Sequence, residues 1–230
     1  MAIQIQGNGG VVAEVDGTTF RALRVTARPI NYGAFGVYQL GMETTTMAAG
    51  LAANAEFFQF RWSDATNFGL VYRVTHSIGA IVAATGAAGL AHHMVLARGW
   101  SAAGSGGTRA VLTGNISKLR TSMGTSLVND AGISTTAALT AGTKTIDHAT
   151  TNLASVAFGI GTGAITTALN LNILPDTVLF DAARGGDHPI VLAGTGGGEG
   201  FVLRNGVVAW PATITWKGAV NVTWGEAAAF

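Results

Sequence analysis

The feature that most constrains this chain is a series of short segments in which apolar and polar residues alternate. Alternation with a period of two is typical of half-buried β-strands, whereas an amphipathic helix needs a period near 3.6. Turn signals separate the runs, which predicts an antiparallel all-β fold, either a sandwich or a barrel. The side chains predicted to share inward faces are Phe58, Phe60 and Trp62 in one run and Leu70, Tyr72 and Val74 in the next, with Gln59, Arg61, Arg73 and Thr75 opposite.

Turn dipeptides predict where strands reverse. Asp16-Gly17 lies between two β-prone runs, and Asn205-Gly206 separates the run 201–204 from the run 207–210. Both dipeptides favour the positive φ angles of a tight hairpin turn. At the C-terminus, Lys217-Gly218 is flanked by two further predicted strands, 213–216 and 220–224, with Ile214, Trp216, Val220, Val222 and Trp224 pointing inward.

Helical signals are scarce. Asn115 can cap a helix of about two turns in which Ile116, Leu119, Arg120 and Met123 have helical spacing. The Thr-, Ala- and Gly-rich stretch 129–152 predicts either short edge strands with long loops or an arm that orders against a neighbour. The most apolar window, 78–97, contains His92 and His93 near its end, which disfavours a membrane span and favours two strands joined by a turn. The first six residues lack a basic region and an apolar core, so we expect no secretory signal.

Composition indicates a chain whose surface is partly covered by other proteins. Only 11% of the residues are charged, against roughly 25% in average soluble domains, and there are 33 glycines and no cysteine. The formal net charge of +1 gives no overall attraction to nucleic acid. Residues 65–129 hold five basic and no acidic residues. That excess is either scatter over a folded surface or a basic face that docks on an acidic protein.

Several segments faintly resemble catalytic or nucleotide-binding motifs. The run Gly159–Ala164, with Asp181 further on, matches part of a dinucleotide fingerprint, but that motif needs a βαβ unit. Gly194–Gly200 and the loop at Lys144 lack the Gly-Lys-Ser/Thr ending of a phosphate loop. Ser101 follows a strand-like run, and His148 or His188 could serve as its base, but the second glycine of a nucleophile elbow is missing. Turns and loops explain these segments more simply.

Histidine and tryptophan provide no clear site. His92 and His93 point to opposite faces of a strand and cannot bind one metal ion together, so we expect no metal, no cofactor and no catalytic residue. The five tryptophans could line a sugar-binding face, although aromatic residues on alternating strands are more often core or interface residues.

Six segments together resemble one group of proteins: FQFRWSDAT at 58–66, ARGWSAAGSGGT at 97–108, LTGN at 112–115, KLRTSMGT at 118–125, ISTTAALTAGTK at 133–144 and EGFVLR at 199–204. The set resembles tailed-bacteriophage virion proteins that look like head decoration, or cement, proteins. The resemblance covers most of the chain and implies a single antiparallel β-sandwich domain, jelly-roll-like, over residues 1–230.

The resemblance also implies a function. Such a protein would be a non-enzymatic part of the virion that binds the major capsid protein on the capsid exterior as a homo-oligomer, with a trimer as the expected form. It would have no nucleic-acid or membrane partner. The basic residues that we predict to dock on the capsid are Arg98, Arg109, Lys118 and Arg120. The alternatives are a tail or fibre component that binds host glycan through an exposed tryptophan, and an enzyme acting at Ser101 or at Gly159–Ala164.

Overall fold

The computed structural model describes residues 35–47, 50–82, 88–147, 151–160, 171–186, 188–211 and 214–228. All of them belong to the compact unit Asn31–Phe230. The hairpin predicted at Asp16-Gly17 lies outside the described residues, and the single domain over 1–230 stays a prediction.

β-strands are the main secondary structure of the described residues. The strands are β1 (Gly36–Glu43), β2 (Glu56–Trp62), β3 (Phe68–Val82), β4 (Ala88–Ala102), β5 (Thr108–Arg109), β6 (Asp130–Ile133), β7 (Thr143–Ile146), β8 (Ala154–Ile160), β9 (Leu171–Asp181), β10 (Ile190–Ala193), β11 (Glu199–Asn205) and β12 (Thr215–Ala227). A 3₁₀ helix, Ala182–Gly185, separates β9 from β10. In the described part of the chain no helix is long and apolar enough to cross a membrane.

The strands form two antiparallel sheets with jelly-roll topology. In the first sheet the order is β1-β12-β3, and β9 and β10 follow one another along the free edge of β3. In the second, β5-β6-β2-β11-β4 is followed by β7 and β8, which lie end to end along β4. β7 with β8, and β9 with β10, can each be counted as one interrupted strand, and β5 and β6 as an addition to the fold. When the remaining strands are renumbered 1 to 8 in chain order, the two sheets have the orders 1-8-3-6 and 2-7-4-5. This is the strand order of a jelly roll, so the predicted fold class is confirmed.

The core lies between the two sheets and is rich in aromatic residues. Phe60 of β2 contacts Trp224 of β12 with ring centroids 5.3 Å apart, edge to face. Phe58, Phe60 and Trp62 are fully buried there, as the alternation predicted. Phe57 is also buried, because a β-bulge opposite Leu203 and Arg204 adds a residue to β2 and turns two successive side chains inward.

A bulge also changes the predicted face of β3. The pairing shifts so that Thr223 faces Arg73 and Trp224 faces Val71, which leaves Tyr72 as the extra residue. Val71 and Val74 therefore pack in the main core, whereas Leu70 and Tyr72 pack outside the first sheet against the 3₁₀ helix. The prediction that Leu70, Tyr72 and Val74 share one face is wrong for this reason.

The C-terminal turns also differ from the predictions. Asn205-Gly206 is not a hairpin turn: β11 ends at Asn205, and the next strand, β12, belongs to the other sheet. The buried Asn205 side chain instead donates to the carbonyls of Leu51, Ala52 and Val208 and accepts from Trp210 Nε1. The second predicted turn, Lys217-Gly218, lies inside β12, which runs unbroken through it and keeps its predicted inward residues buried.

The helix predicted from Asn115 is wrong as well. The backbone of 110–129 is irregular, with turns and bends over 114–123 and a single bridge at Lys118, and Ser117 has a left-handed φ of 65° that interrupts a right-handed helix. Pairing with β1, described below, replaces the local helical hydrogen bonds. The strands predicted in two other regions are present: 78–97 contains the end of β3 and most of β4, with the turn between them outside the described residues, and 129–147 holds the short strands β6 and β7, of which β7 lies at a sheet edge.

Candidate interaction surface

The segment 110–129, which we call the edge loop, runs along the outer edge of β1. The Gln39 amide donates to the Ser117 carbonyl at 2.8 Å, and the Leu119 amide donates to the Val37 carbonyl at 3.3 Å. These bonds satisfy backbone groups that an edge strand would otherwise expose. The loop therefore covers the edge of the first sheet with a surface of its own.

Buried groups beneath the loop hold its C-terminal end in place. Glu226 of β12 is fully buried and accepts hydrogen bonds from Ser126 Oγ at 2.7 Å, the Leu127 amide at 3.0 Å and Trp224 Nε1 at 3.1 Å. The Tyr38 hydroxyl donates to the Gly124 carbonyl at 3.1 Å. Burial raises the pKa of Glu226 above its ordinary value, against the lowering effect of its donors, and burial with the nearby Glu226 raises the pKa of Tyr38 to about 12.

The edge loop presents apolar and basic side chains to solvent. We call this set the edge surface: the apolar residues are Val111, Ile116 and Leu119 of the loop and Phe35 beside it, with 63, 49, 55 and 42% of their area exposed. Lys118, half-buried, and Arg120, exposed, lie between and beside them. The sequence does not reveal that these apolar side chains are exposed, because their helical spacing assigns Ile116 and Leu119 to a packed helix face.

The four predicted docking residues do not form one patch. Lys118 and Arg120 belong to the edge surface, whereas Arg98 and Arg109 lie on β4 and β5 of the second sheet and pair with acidic residues of this chain. Arg98 contacts Asp147 at 2.8 Å and Glu199 at 2.5 Å.

Arg109 contacts Asp130 at 2.9 Å and also donates to the Gly104 carbonyl. The acidic partners of Arg98 and Arg109 lie outside residues 65–129. Folding therefore neutralises part of the basic excess that this segment shows in sequence.

A histidine pair lies in the core. His76 Nε2 and His92 Nδ1 are 2.7 Å apart, and His76 Nδ1 is 3.2 Å from the Ala219 carbonyl. The carbonyl can only accept, so in the neutral pair His76 Nδ1 carries a proton, His76 Nε2 accepts, and His92 Nδ1 donates. The His92 ring packs against Phe158, Trp210 and Trp216, and its Nε2 has no hydrogen-bond partner among the described residues.

Burial is the main cause of the low pKa of both imidazoles. It lowers the pKa of His76 to about 4, opposed by the Ala219 bond and by Asp176. It lowers the pKa of His92 well below the ordinary value, and repulsion from His76 and His93 lowers it further. His93, on the opposite face as predicted, is half-buried. The core pair is therefore neutral at pH 7.

The sequence candidates for chemistry occupy ordinary strands and turns. Ser101 lies within β4 rather than at a strand-to-helix turn, and its carbonyl accepts from Arg61. Gly159 and Ile160 lie within β8, which pairs antiparallel with β4, so the strand that leads into this motif lacks the parallel context of a dinucleotide site; residues 161–164 lie outside the described residues. Of the run Gly194–Gly200, residues 194–198 join β10 to β11, with Gly196, Gly197 and Gly198 at positive φ, and Glu199 and Gly200 begin β11. His148 is outside the described residues, and His188 is exposed.

The tryptophans do not form a sugar-binding face, since all five are at most 4% exposed. Among the residues that the structure describes, no group of three or more His, Cys, Asp or Glu side chains is placed to hold a metal ion. A shallow groove of about 580 Å³ lies at one end of the second sheet. Its lining consists of residues of β4 and β8, both small ones and Leu90, His93 and Phe158, together with the exposed Val207 and Val208.

No protein-family model and no curated protein matches the chain. Among solved structures, Merkel cell polyomavirus VP1 in complex with disialyllactose matches at 11% identity, covering 84% of this chain and 95% of that one, with a TM-score of 0.30. A similarity this low carries no argument about function. The jelly-roll assignment rests on the strand pairing described above.

Proposed function

We propose that this protein is a non-enzymatic structural protein of a tailed-phage virion that decorates the capsid exterior and binds the major capsid protein as a homo-oligomer. The observation that carries the proposal is the edge surface, where apolar side chains are exposed beside Lys118 and Arg120. Exposed apolar groups rimmed by polar ones are typical of protein interaction sites. The low charge content and the segments that resemble decoration proteins support the same function.

The edge surface suits a partner that is apolar with an acidic rim. Lys118 and Arg120 would steer association and set register, while burial of Ile116 and Leu119 would supply most of the affinity. Arg98 and Arg109 are less suited to docking because their charges already face acids within the chain. Of the four predicted docking residues, we therefore assign docking to Lys118 and Arg120.

Self-association needs a second surface. Val207 and Val208, 73 and 48% exposed beside the shallow groove, supply apolar area away from the edge loop in sequence. We assign the contact between copies to this region, with a trimer as the expected form. A decoration protein bound as an oligomer stabilises the assembled shell, because it binds that state and not the dissociated one.

The glycan-binding alternative loses its main support. It requires an exposed tryptophan, and the five tryptophans are buried. No observation on the described residues favours it over capsid binding.

Cryo-electron microscopy of the native particle tests the proposal. We expect density at threefold or quasi-threefold positions of the capsid, in contact with the shell through the edge loop. Density confined to the tail, or no association with the particle, would contradict the proposal.

A binding assay tests the docking residues. On capsids stripped of this protein, we expect the double variant K118E/R120E to bind at least about tenfold more weakly than wild type, a loss near 1.4 kcal/mol. The matched control is K217E, which reverses an exposed lysine of β12 outside the edge surface. Equal affinity of the double variant and the control would contradict the assignment.

A further inference from the structure

A buried lysine, carboxylate and carboxamide meet on the outer face of the second sheet. The chain between β4 and β8 folds back over this face and carries Lys144, whose side chain is only 2% exposed. Glu56 of β2 is 9% exposed at its side chain, and Gln59, also of β2, is fully buried. Residues of these types are rarely buried together unless they contact one another.

One carboxylate oxygen bridges the two nitrogen-bearing groups. Glu56 Oε2 accepts from Lys144 Nζ at 2.8 Å and from Gln59 Nε2 at 2.6 Å. The amine and the carboxamide therefore approach the same oxygen atom, which can take a proton from one nitrogen and deliver it to the other. This is the requirement for a general acid–base group in amide exchange.

A cation stands beside the carboxamide oxygen. Arg109 Nη1 and Nη2 lie 3.4 and 3.5 Å from Gln59 Oε1, and Asp130, 2.9 Å from Nη1, helps to hold the guanidinium. Negative charge that develops on Oε1 during attack at Cδ would face this guanidinium. The Trp100 ring, with its centroid 4.7 Å from Lys144 Nζ, forms an apolar wall beside the amine.

We propose that this cluster forms an intramolecular isopeptide bond between Lys144 Nζ and Gln59 Cδ. Glu56 takes a proton from the Lys144 ammonium, and the freed lone pair attacks Cδ. The oxygen Oε1 carries the resulting negative charge beside Arg109. The Cδ–Nε2 bond then breaks as Glu56 passes protons to Nε2 and the carbonyl re-forms.

The reaction balances without a co-reactant. A Cδ–Nζ bond replaces the Cδ–Nε2 bond, and Nζ loses two protons that leave with Nε2 as ammonium. No electrons are gained or lost, so neither an oxidant nor a reductant is needed. The product is an amide that links β2 to β7 through the folded-back segment, and it closes a long loop that the unfolded chain must then retain.

Intact-mass spectrometry of the purified, denatured full-length protein tests the proposal. We expect a mass lower than that of the sequence by one ammonia, and a tryptic peptide in which the segments containing Gln59 and Lys144 are joined. The acylated Lys144 would also resist trypsin. A full sequence mass with no joined peptide, after long incubation of the folded protein at neutral and mildly alkaline pH, would overturn the proposal.

Variants assign the roles. K144M should keep the full mass, and E56Q, which preserves the shape of the side chain but cannot shuttle protons, should form the link at least about a hundredfold more slowly. K217M, which removes a lysine outside the cluster, should still lose one ammonia. Loss of ammonia in K144M would place the reaction elsewhere and overturn the proposal, and an unchanged rate in E56Q would overturn the role of Glu56. Because the joined peptide of the wild-type protein is decisive by itself, the test does not depend on the folding of any variant.

Discussion

At the scale of single residues, the buried His76–His92 pair makes the stability of this protein depend on pH. Each imidazole has a pKa in the folded state below the ordinary value of 6.5. Below pH 6.5 the unfolded chain therefore binds protons that the folded core does not, and the free energy of unfolding falls as pH decreases toward about 4. The charged or titratable groups that act on the pair are Asp176, which favours protonation of His76, and His93, which opposes protonation of His92.

We predict that this loss approaches about 1.4 kcal/mol per pH unit for each histidine that protonates on unfolding. Urea unfolding between pH 7 and pH 4 measures it. The variant H92Q cannot titrate at this position but can still donate to His76, so its stability should vary less steeply with pH. The control H188Q removes an exposed histidine and should leave the slope unchanged. A wild-type slope in H92Q would contradict the prediction.

At the scale of elements, the edge loop depends on a contact with Glu226 of β12 that no local sequence pattern predicts. Glu226 lies nearly a hundred positions from its two partners in the loop, Ser126 and Leu127. Its carboxylate is buried, so it contributes hydrogen bonds at the cost of desolvation. Because its pKa in the folded state is raised, its contribution is greatest below the ordinary value of 4.5 and falls as pH rises through the raised pKa.

We predict that E226A destabilises the protein by about 2–4 kcal/mol at pH 7, because three donors lose their acceptor. E226Q keeps a carbonyl oxygen for these donors and removes the buried charge, so its stability should lie within about 1 kcal/mol of wild type. Denaturant unfolding of both variants at several pH values provides the measurement. As pH rises, the free energy of unfolding of E226Q should increase relative to that of the wild-type protein. A stable E226A would show that Glu226 does not hold the loop.

Other elements show where local signals succeed and where they fail. The alternation in β2 correctly placed Phe58, Phe60 and Trp62 in the core, because a strand with one buried face must alternate. The hairpin predicted at Asn205-Gly206 does not form, because the Asn205 side-chain amide donates to backbone carbonyls of two loops and the chain continues to the other sheet. The helix predicted at 115–123 does not form, because backbone groups of this segment form hydrogen bonds with β1 instead.

At the scale of the whole molecule, the jelly roll separates two surfaces with different proposed roles. The edge surface lies along β1 of the first sheet, and Val207 and Val208 lie at one end of the second. Capsid binding and self-association should therefore respond to different substitutions.

We predict that light scattering coupled to size-exclusion chromatography gives the mass of an oligomer for the wild-type protein at micromolar concentration. The variant V207S/V208S should shift the mass toward that of the monomer, since it removes exposed apolar area without touching the core. K118E/R120E serves as the control and should keep the wild-type mass. A wild-type protein that is monomeric across this range would contradict self-association through this surface.

The sequence by itself determined that this chain forms antiparallel strands of a sandwich or a barrel, because period-two alternation, β-branched residues and turn glycines act over a few neighbouring residues. The division into two sheets was decided by the long-range strand pairing. Only the tertiary structure decided which strand face Tyr72 occupies, which acids neutralise Arg98, and that Ile116 and Leu119 are exposed. It also decided that Glu56, Gln59 and Lys144 meet. These outcomes depend on bulges and on contacts between residues far apart in the chain, and their energies exceed the weak local preferences that a sequence pattern expresses.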